Sequence, residues 1–212
     1  MGIEPLIRKK GRLPLRILRC WPAMCAALTA LVFVQGVHAQ ASSLQLETAQ
    51  TTIEFSLGDV LHTVHGTFKL KNCTIRFDPV TGRIQGAIIV DATSGNSGNG
   101  SRDRKMHHDI LESAKFTEIT FSPSQFTGGL VQQGASHLEV AGQFRLHGQD
   151  HALTIPIDVM AEGQQLQLST RFIIPYVQWG LKNPSNFLLR VSDKVTIDIH
   201  ATGHLVSQES TH

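Results

Sequence analysis

Apolar and polar positions alternate along this chain in rows, and several of the apolar rows are interrupted by a glycine. Val64-Gly66-Phe68-Leu70, Ile84-Gly86-Ile88-Val90 and Val140-Gly142-Phe144-Leu146 share one design, and Val195-Ile197-Ile199-Ala201-Gly203-Leu205 is close to it. Residues two apart on a strand lie on one face, so each row is an apolar stripe. The opposite faces carry His65, Thr67, Lys69 and Lys71, or Gln143, Arg145 and His147. A glycine within a strand marks a bulge, a bend at a barrel corner or the close approach of another group to the backbone. Repeated on the apolar side, it points to a sheet curved around an interior with room in it. A tightly bent and fully packed barrel gives the same pattern.

The alternation predicts strands over 44–47, 51–57, 63–71, 74–78, 83–91, 118–122, 138–147, 152–161, 164–174 and 194–205. Turn chemistry at 79–82 and 161–163 joins neighbours as antiparallel pairs. The row Leu153-Ile155-Ile157-Val159 is the most regular, and Pro156 on its opposite face calls for an edge or a bulge. One segment breaks the rhythm. Residues 94–100 are too rich in glycine for a strand and lead into a helix predicted over 101–114. There Ser101 serves as cap, and Met106, Ile110 and Ala114 share a face. The class is therefore all-β, an antiparallel barrel or sandwich with one short α-helix at an end, placed to act as a lid.

The first 39 residues read differently. Arg8, Lys9, Lys10, Arg12, Arg16 and Arg19 form a basic region ahead of an apolar stretch of about 14 residues, and Val37-His38-Ala39 fits a small-residue cleavage site. That stretch is short for a membrane span of roughly 20 residues. The reading is a secretory signal peptide over 1–39 cleaved after Ala39, a barrel domain over 40–205, and a disordered tail over 206–212. Localisation is then periplasmic or secreted. Removing the signal takes six of 19 basic and one of 17 acidic residues, so the remainder carries 13 and 16, a net of −3. This argues against nucleic acid, whose affinity comes mainly from basic contacts to phosphate. Cys73 is the single cysteine after residue 39, so no disulfide forms within the exported chain.

Ten histidines follow the signal, and their spacings do not converge on a metal. His62 and His65 fall on opposite strand faces, and His200 and His204 are about 13 Å apart along a strand. His107 and His108 diverge on the helix. His147 and His151, flanking a turn, are the one local pair able to meet. No nucleophile elbow, phosphate loop or dinucleotide fingerprint is present, and Cys73 reads as a small buried residue. No cofactor, metal or catalytic residue is therefore assigned. Arg102, Arg104 and Lys105 in the first helical turn oppose the macrodipole unless an anion answers them, which marks them as a candidate headgroup or anion site.

Five motifs in order resemble the YceI-like family. Thr63-Val64-His65-Gly66-Thr67-Phe68 is similar to its V-x-G-x-F strand, and Gly95-Asn96 followed by Arg102-Asp103 to its T-G-N…R-D segment. The segment from Lys115 to Phe121 resembles K-Y-P-x-I-x-F, and Leu146-His147-Gly148 with Leu153 resembles the L-x-L-H-G hairpin. Val191-Ser192-Asp193-Lys194-Val195-Thr196-Ile197 matches V-S-D-x-V-x-I. Thr117 replaces the usual proline, and the strand expected to carry F-x-I-x-R-x-D-F-G reads here from Phe172 to Gly180 without the arginine or the acid. The resemblance implies a lipocalin-like antiparallel β-barrel that binds polyisoprenoid lipid in its interior.

The combined expectation is an exported, non-enzymatic carrier or scavenger of a long polyisoprenoid or quinone-like ligand, with transient membrane contact. By stripe parity Phe68, Phe144, Ile157, Phe172 and Ile197 line the interior, and Tyr176 and Trp179 sit at a mouth with one wet end each. Two other readings stay open: a stress-related interaction module with a packed barrel, and a hydrolase or isomerase on the same fold.

Overall fold

The computed structural model describes residues 42–59, 62–185 and 190–207. The segment 1–39 expected to be a signal peptide lies outside the described residues, and so does the expected tail from 208 onward, whereas 206 and 207 belong to the last strand. Nine strands follow in order: β1 Ser42–Leu46, β2 Thr52–Gly58, β3 Thr63–Phe77, β4 Ile84–Asn96, β5 Glu118–Thr127, β6 Gln133–Leu146, β7 Gln149–Glu162, β8 Gln165–Ile174 and β9 Val195–Ser207. A short helix, α1 Gly100–Lys105, stands between β4 and β5. Every pairing is antiparallel. β2 joins β3 to β9, with Phe55 opposite both Gly66 and Ile197, and so closes the sheet. β1 lies between the far ends of the same two strands, with Leu44 opposite Ile75 and Leu205. β1 and β2 therefore share one stave, broken by a tight turn at Thr48–Gln50, and the result is a closed eight-strand barrel. Closure removes the free edges that an open sheet would expose.

Several strand boundaries differ from the expectation, most of all in β3 and β4. The predicted strands 63–71 and 74–78 are a single strand, and β4 runs past 91 to Asn96. β3 carries register shifts between Thr67 and Lys69 and between Leu70 and Asn72. A bulge inserts a residue and reverses inward parity. Val64, Phe68 and Leu70 thus point inward with one parity and Cys73, Ile75 and Phe77 with the other. The parity change mimics a strand end. Pro156 has its own local reason: β7 pairs with β8 only from Asp158 to Glu162, so Pro156, which lies opposite Glu139 of β6, faces no strand on its β8 side.

Glycines in the apolar rows do not simply leave space. A Cβ on Gly66 would collide with the ring of Phe55, and one on Gly142 would lie 2.9 Å from the Phe121 ring and 2.5 Å from the Ser122 carbonyl oxygen. Aromatic side chains occupy these positions, which lets the barrel be narrow there. One end is accordingly solid: Ile75, Phe77, Phe126, Leu138, Val140, Ile155, Val159, Ala161 and Leu166 are buried in one cluster. The other end is covered by α1.

The cap of that helix is Asn99, not Ser101: its side chain accepts from the N–H groups of Ser101 and Arg102, both at 3.1 Å. The helix is also shorter than expected. It passes into one wide π turn over Met106–Ile110 and stops, leaving Ala114 exposed outside it. His107 ties this turn to the barrel, its Nε2 donating to the Gly95 carbonyl and its Nδ1 accepting from the Ser113 hydroxyl, each at 2.9 Å. Asp103 holds the incoming loop by accepting from the Ser97 N–H at 2.9 Å and hydroxyl at 2.5 Å. Burial alone would raise the Asp103 pKa, but the Ser97 hydrogen bonds with Arg102 nearby bring it below the ordinary value. A depressed folded pKa contributes stability above the unfolded value of about 3.9 that is lost as pH falls through the folded one. Amide protection over 97–103 is therefore expected to drop, relative to the strands, below about pH 4. Equal loss in loop and strands would remove this role for Asp103.

Candidate functional site

Under α1 the barrel holds a cavity of about 530 Å³ that is partly open to solvent. This falls in the range of about 300–1,000 Å³ usual for small-molecule sites. The alternating rows build its wall. β2 supplies Ile53, Phe55 and Leu57, β3 supplies Val64 and Phe68, and β9 supplies Val195, Ile197 and Ile199. Phe144 and Leu146 come from β6, Phe172 and Ile174 from β8, Val90 from β4 and Ile119 from β5. Met106, Ile110 and Leu111 close it from above. Polar groups are confined to the rim: Ser97, Asn99, Ser101, Arg102 and Lys105 on one side, Asp59 and His62 on another. Such a wall makes no demand on a ligand beyond shape and apolarity, and the rim can meet one polar end.

Five of the seven residues expected in the lining are in the wall: Phe68, Phe144, Phe172, Ile197 and Tyr176. Ile157 and Trp179 are not. Ile157 has the right parity but lies toward the solid end, opposite Leu138 and packed against the core. Trp179 stacks flat on His151, centroids 4.1 Å apart and planes 2° apart, and its other neighbour is Phe144 at 5.8 Å. β8 has left β7 at this height, and Trp179 packs beside the unpaired stretch of β7. Among the described residues no wall position comes from β7.

Tyr176 differs in another way. Its ring is 5 % exposed, and its hydroxyl donates to the Ser192 carbonyl at 2.6 Å instead of meeting water. Burial, with a smaller push from Asp193, raises its pKa to about 12. Ser192 also donates its N–H to Gly58 and its hydroxyl to the Lys194 carbonyl, both at 2.8 Å. The Val-Ser-Asp motif therefore pins the loop after β8 against the mouth.

The three cations separate. Arg102 and Lys105 reach the rim, whereas Arg104 is exposed and outside the wall. Arg102 donates from Nε to the Ser97 hydroxyl at 2.7 Å and from Nη2 to the Ser97 carbonyl at 2.8 Å. Lys105 donates to the Pro184 carbonyl at 3.3 Å. A guanidinium has five N–H donors, so these bonds orient Arg102 and leave others for a ligand.

His147 and His151 do not form a pair. His147 occupies the turn between β6 and β7 with φ +51°, followed by Gly148 at +77°, the geometry of a two-residue type I′ hairpin. Its ring lies 4.3 Å from that of Phe116 and its Nε2 3.3 Å from the Glu112 carboxylate. His151 belongs to the inward row of β7, sharing the odd-numbered parity of Leu153 and Ile155. Among the described residues no three His, Cys, Asp or Glu side chains gather as a metal set. Burial pushes the Cys73 thiol up to about 11, which keeps it protonated and unreactive at neutral pH. The residues not anticipated include Ile53, Phe55 and Leu57, whose alternation was legible, and the covering Met106, Ile110 and Leu111, half-legible as a helical face.

The YceI-like domain matches residues 44–203 of the chain. A UPF0312 protein of Vibrio parahaemolyticus is 25 % identical over 150 residues, covering 70 % of this chain and 72 % of the relative. Among solved structures, BcnA of Burkholderia cenocepacia superimposes with a TM-score of 0.62 at 16 % identity, over 74 % of this chain and 98 % of its own. A polyisoprenoid-binding domain from Saccharophagus degradans does so with a TM-score of 0.56 at 15 % identity, over 78 % and 98 %. The shared barrel, and a match that spans nearly all of the described strands, place the chain in the YceI-like domain family.

Proposed function

We propose that this protein is an exported carrier or scavenger that holds a long apolar ligand, of polyisoprenoid or quinone type, inside the barrel. The observation that carries the reading is the cavity of about 530 Å³, walled by aliphatic and aromatic side chains with its polar groups confined to the rim. Apolar burial supplies the affinity, at about 0.8 kcal/mol for each methylene removed from water. Arg102 and Lys105 at the rim receive the polar end. The polyisoprenoid-binding domain from Saccharophagus degradans, similar in fold, supports this ligand class. Export follows from the leader over 1–39 and puts the protein where such a lipid must cross water.

Native mass spectrometry of protein recovered from the exported fraction, followed by solvent extraction, tests both parts. The expected result is a mass lacking residues 1–39 and carrying one extractable prenyl-type adduct. A mass that retains the leader overturns the export reading. A ligand-free mass with no uptake of added prenyl lipid overturns the binding reading and favours a protein-interaction module.

A further inference from the structure

We propose that the cavity limits chain length, accommodating about four isoprene units of a prenyl tail and leaving the rest of a longer one outside. This rests on the apolar-ligand reading above and adds a specificity to it.

The first observation is size. An apolar cavity of about 150 Å³ holds one benzene, which is about 25 Å³ per heavy atom. On that scale a cavity of about 530 Å³ holds about 20 heavy atoms, or four isoprene units. The second observation is a floor. On β3, β6, β8 and β9 the inward row leaves the wall at a defined position. Phe144 is in the wall and Gly142 below it is not; Phe172 is and Thr170 is not; Ile199 is and Ala201 is not; Phe68 is and Leu70 is not. Phe144 and Phe172 meet edge to face across this level, centroids 6.3 Å apart. Phe121 lies opposite Phe144 in register and is itself buried, filling the space over Gly142. The solid half of the barrel begins beneath. A tail that has reached these rings gains no further enclosed contact, because the space beneath them is already filled by close-packed side chains.

Prenyl alcohols of two, three, four and eight isoprene units, competed against one another on the full exported chain by native mass spectrometry, read out the limit. Affinity is expected to rise about tenfold or more per unit up to four units, and by less than about twofold from four to eight. A rise that continues to eight units overturns the length limit while leaving prenyl binding intact. Failure of every length to bind overturns the prenyl reading itself, and the limit with it. Phe121→Ala, which lowers the floor without removing a wall residue, is expected to move the plateau to a longer chain. Ile199→Phe, which raises the floor and keeps the core filled, is expected to move it to three units or fewer. A plateau that stays in place in either folded variant overturns the assignment of the floor.

Discussion

Asparagine at Ile197 is expected to leave the barrel folded and to lower prenyl affinity by about 30-fold, whereas asparagine at Ile155 is expected to cost the fold itself. The two isoleucines have the same parity role on neighbouring parts of one barrel. Ile197 faces the cavity between Phe55 and Phe172, both wall residues. Without ligand, water in the cavity can hydrate an amide there. With a prenyl chain in place that amide has no partner, and an unpaired buried polar group costs about 1–3 kcal/mol in proteins. The loss falls on binding.

Ile155 is 5 % exposed in the solid half, opposite Val140. Replacing it removes close packing worth about 2–5 kcal/mol and adds an amide with no water near it. In a domain of this size each kcal/mol lowers Tm by about 2–4 °C, so a fall of about 10 °C or more is expected. Thermal melts and a prenyl titration of both variants check the pair. Equal falls in Tm would mean that the covered end is as solid as the other, and unchanged affinity in Ile197→Asn would take the ligand off the β9 wall.

The contrast between these positions also marks what the sequence could and could not disclose. Alternation made the strands and their inward rows legible, because a half-buried sheet repeats every two residues whatever its partners are. It did not disclose how far down the barrel each position sits. Ile157 and Ile197 are equivalent in parity, yet one packs in the solid end and the other lines the cavity. That difference comes from strand pairing around the barrel, a non-local property.

A mouth suits an aromatic ring with one wet end, which is why Trp179 is expected there. The departure of β8 from β7 after Ser169 opened a different position for it, flat against His151. The helix was legible in place and in its apolar face, and misread at both ends. Asn99 and Ser101 are equally good caps by residue type, and the π turn that ends the helix early is fixed by His107 reaching Gly95 and Ser113, contacts with no sequence period.

Alanine at Gly86 should destabilise the protein by about 3 kcal/mol or more without altering affinity in the fraction that remains folded. Gly86 has φ +122°, a region that residues with a Cβ rarely adopt, and strain of this kind costs about 1–3 kcal/mol. Sterics add to it. A Cβ there would overlap the Thr74 carbonyl oxygen and stand 3.2 Å from the Ile75 Cα, so backbone and not a yielding side chain is in the way. Two paired strands must part for the methyl group to fit. Gly86 lies opposite Ile75 in the solid half, away from the wall, which is why affinity should hold.

Gly58→Ala is the matching control, since nothing stands within 4 Å of a Cβ at that position. There the substitution restricts the unfolded chain and is expected to be neutral or stabilising by up to about 1 kcal/mol. The measurement is denaturant unfolding of both variants beside a prenyl titration. A Gly86→Ala midpoint within error of the parent would mean that β3 and β4 separate easily at this pair, and the solid end would then lose its claim to be the rigid base on which the cavity floor rests.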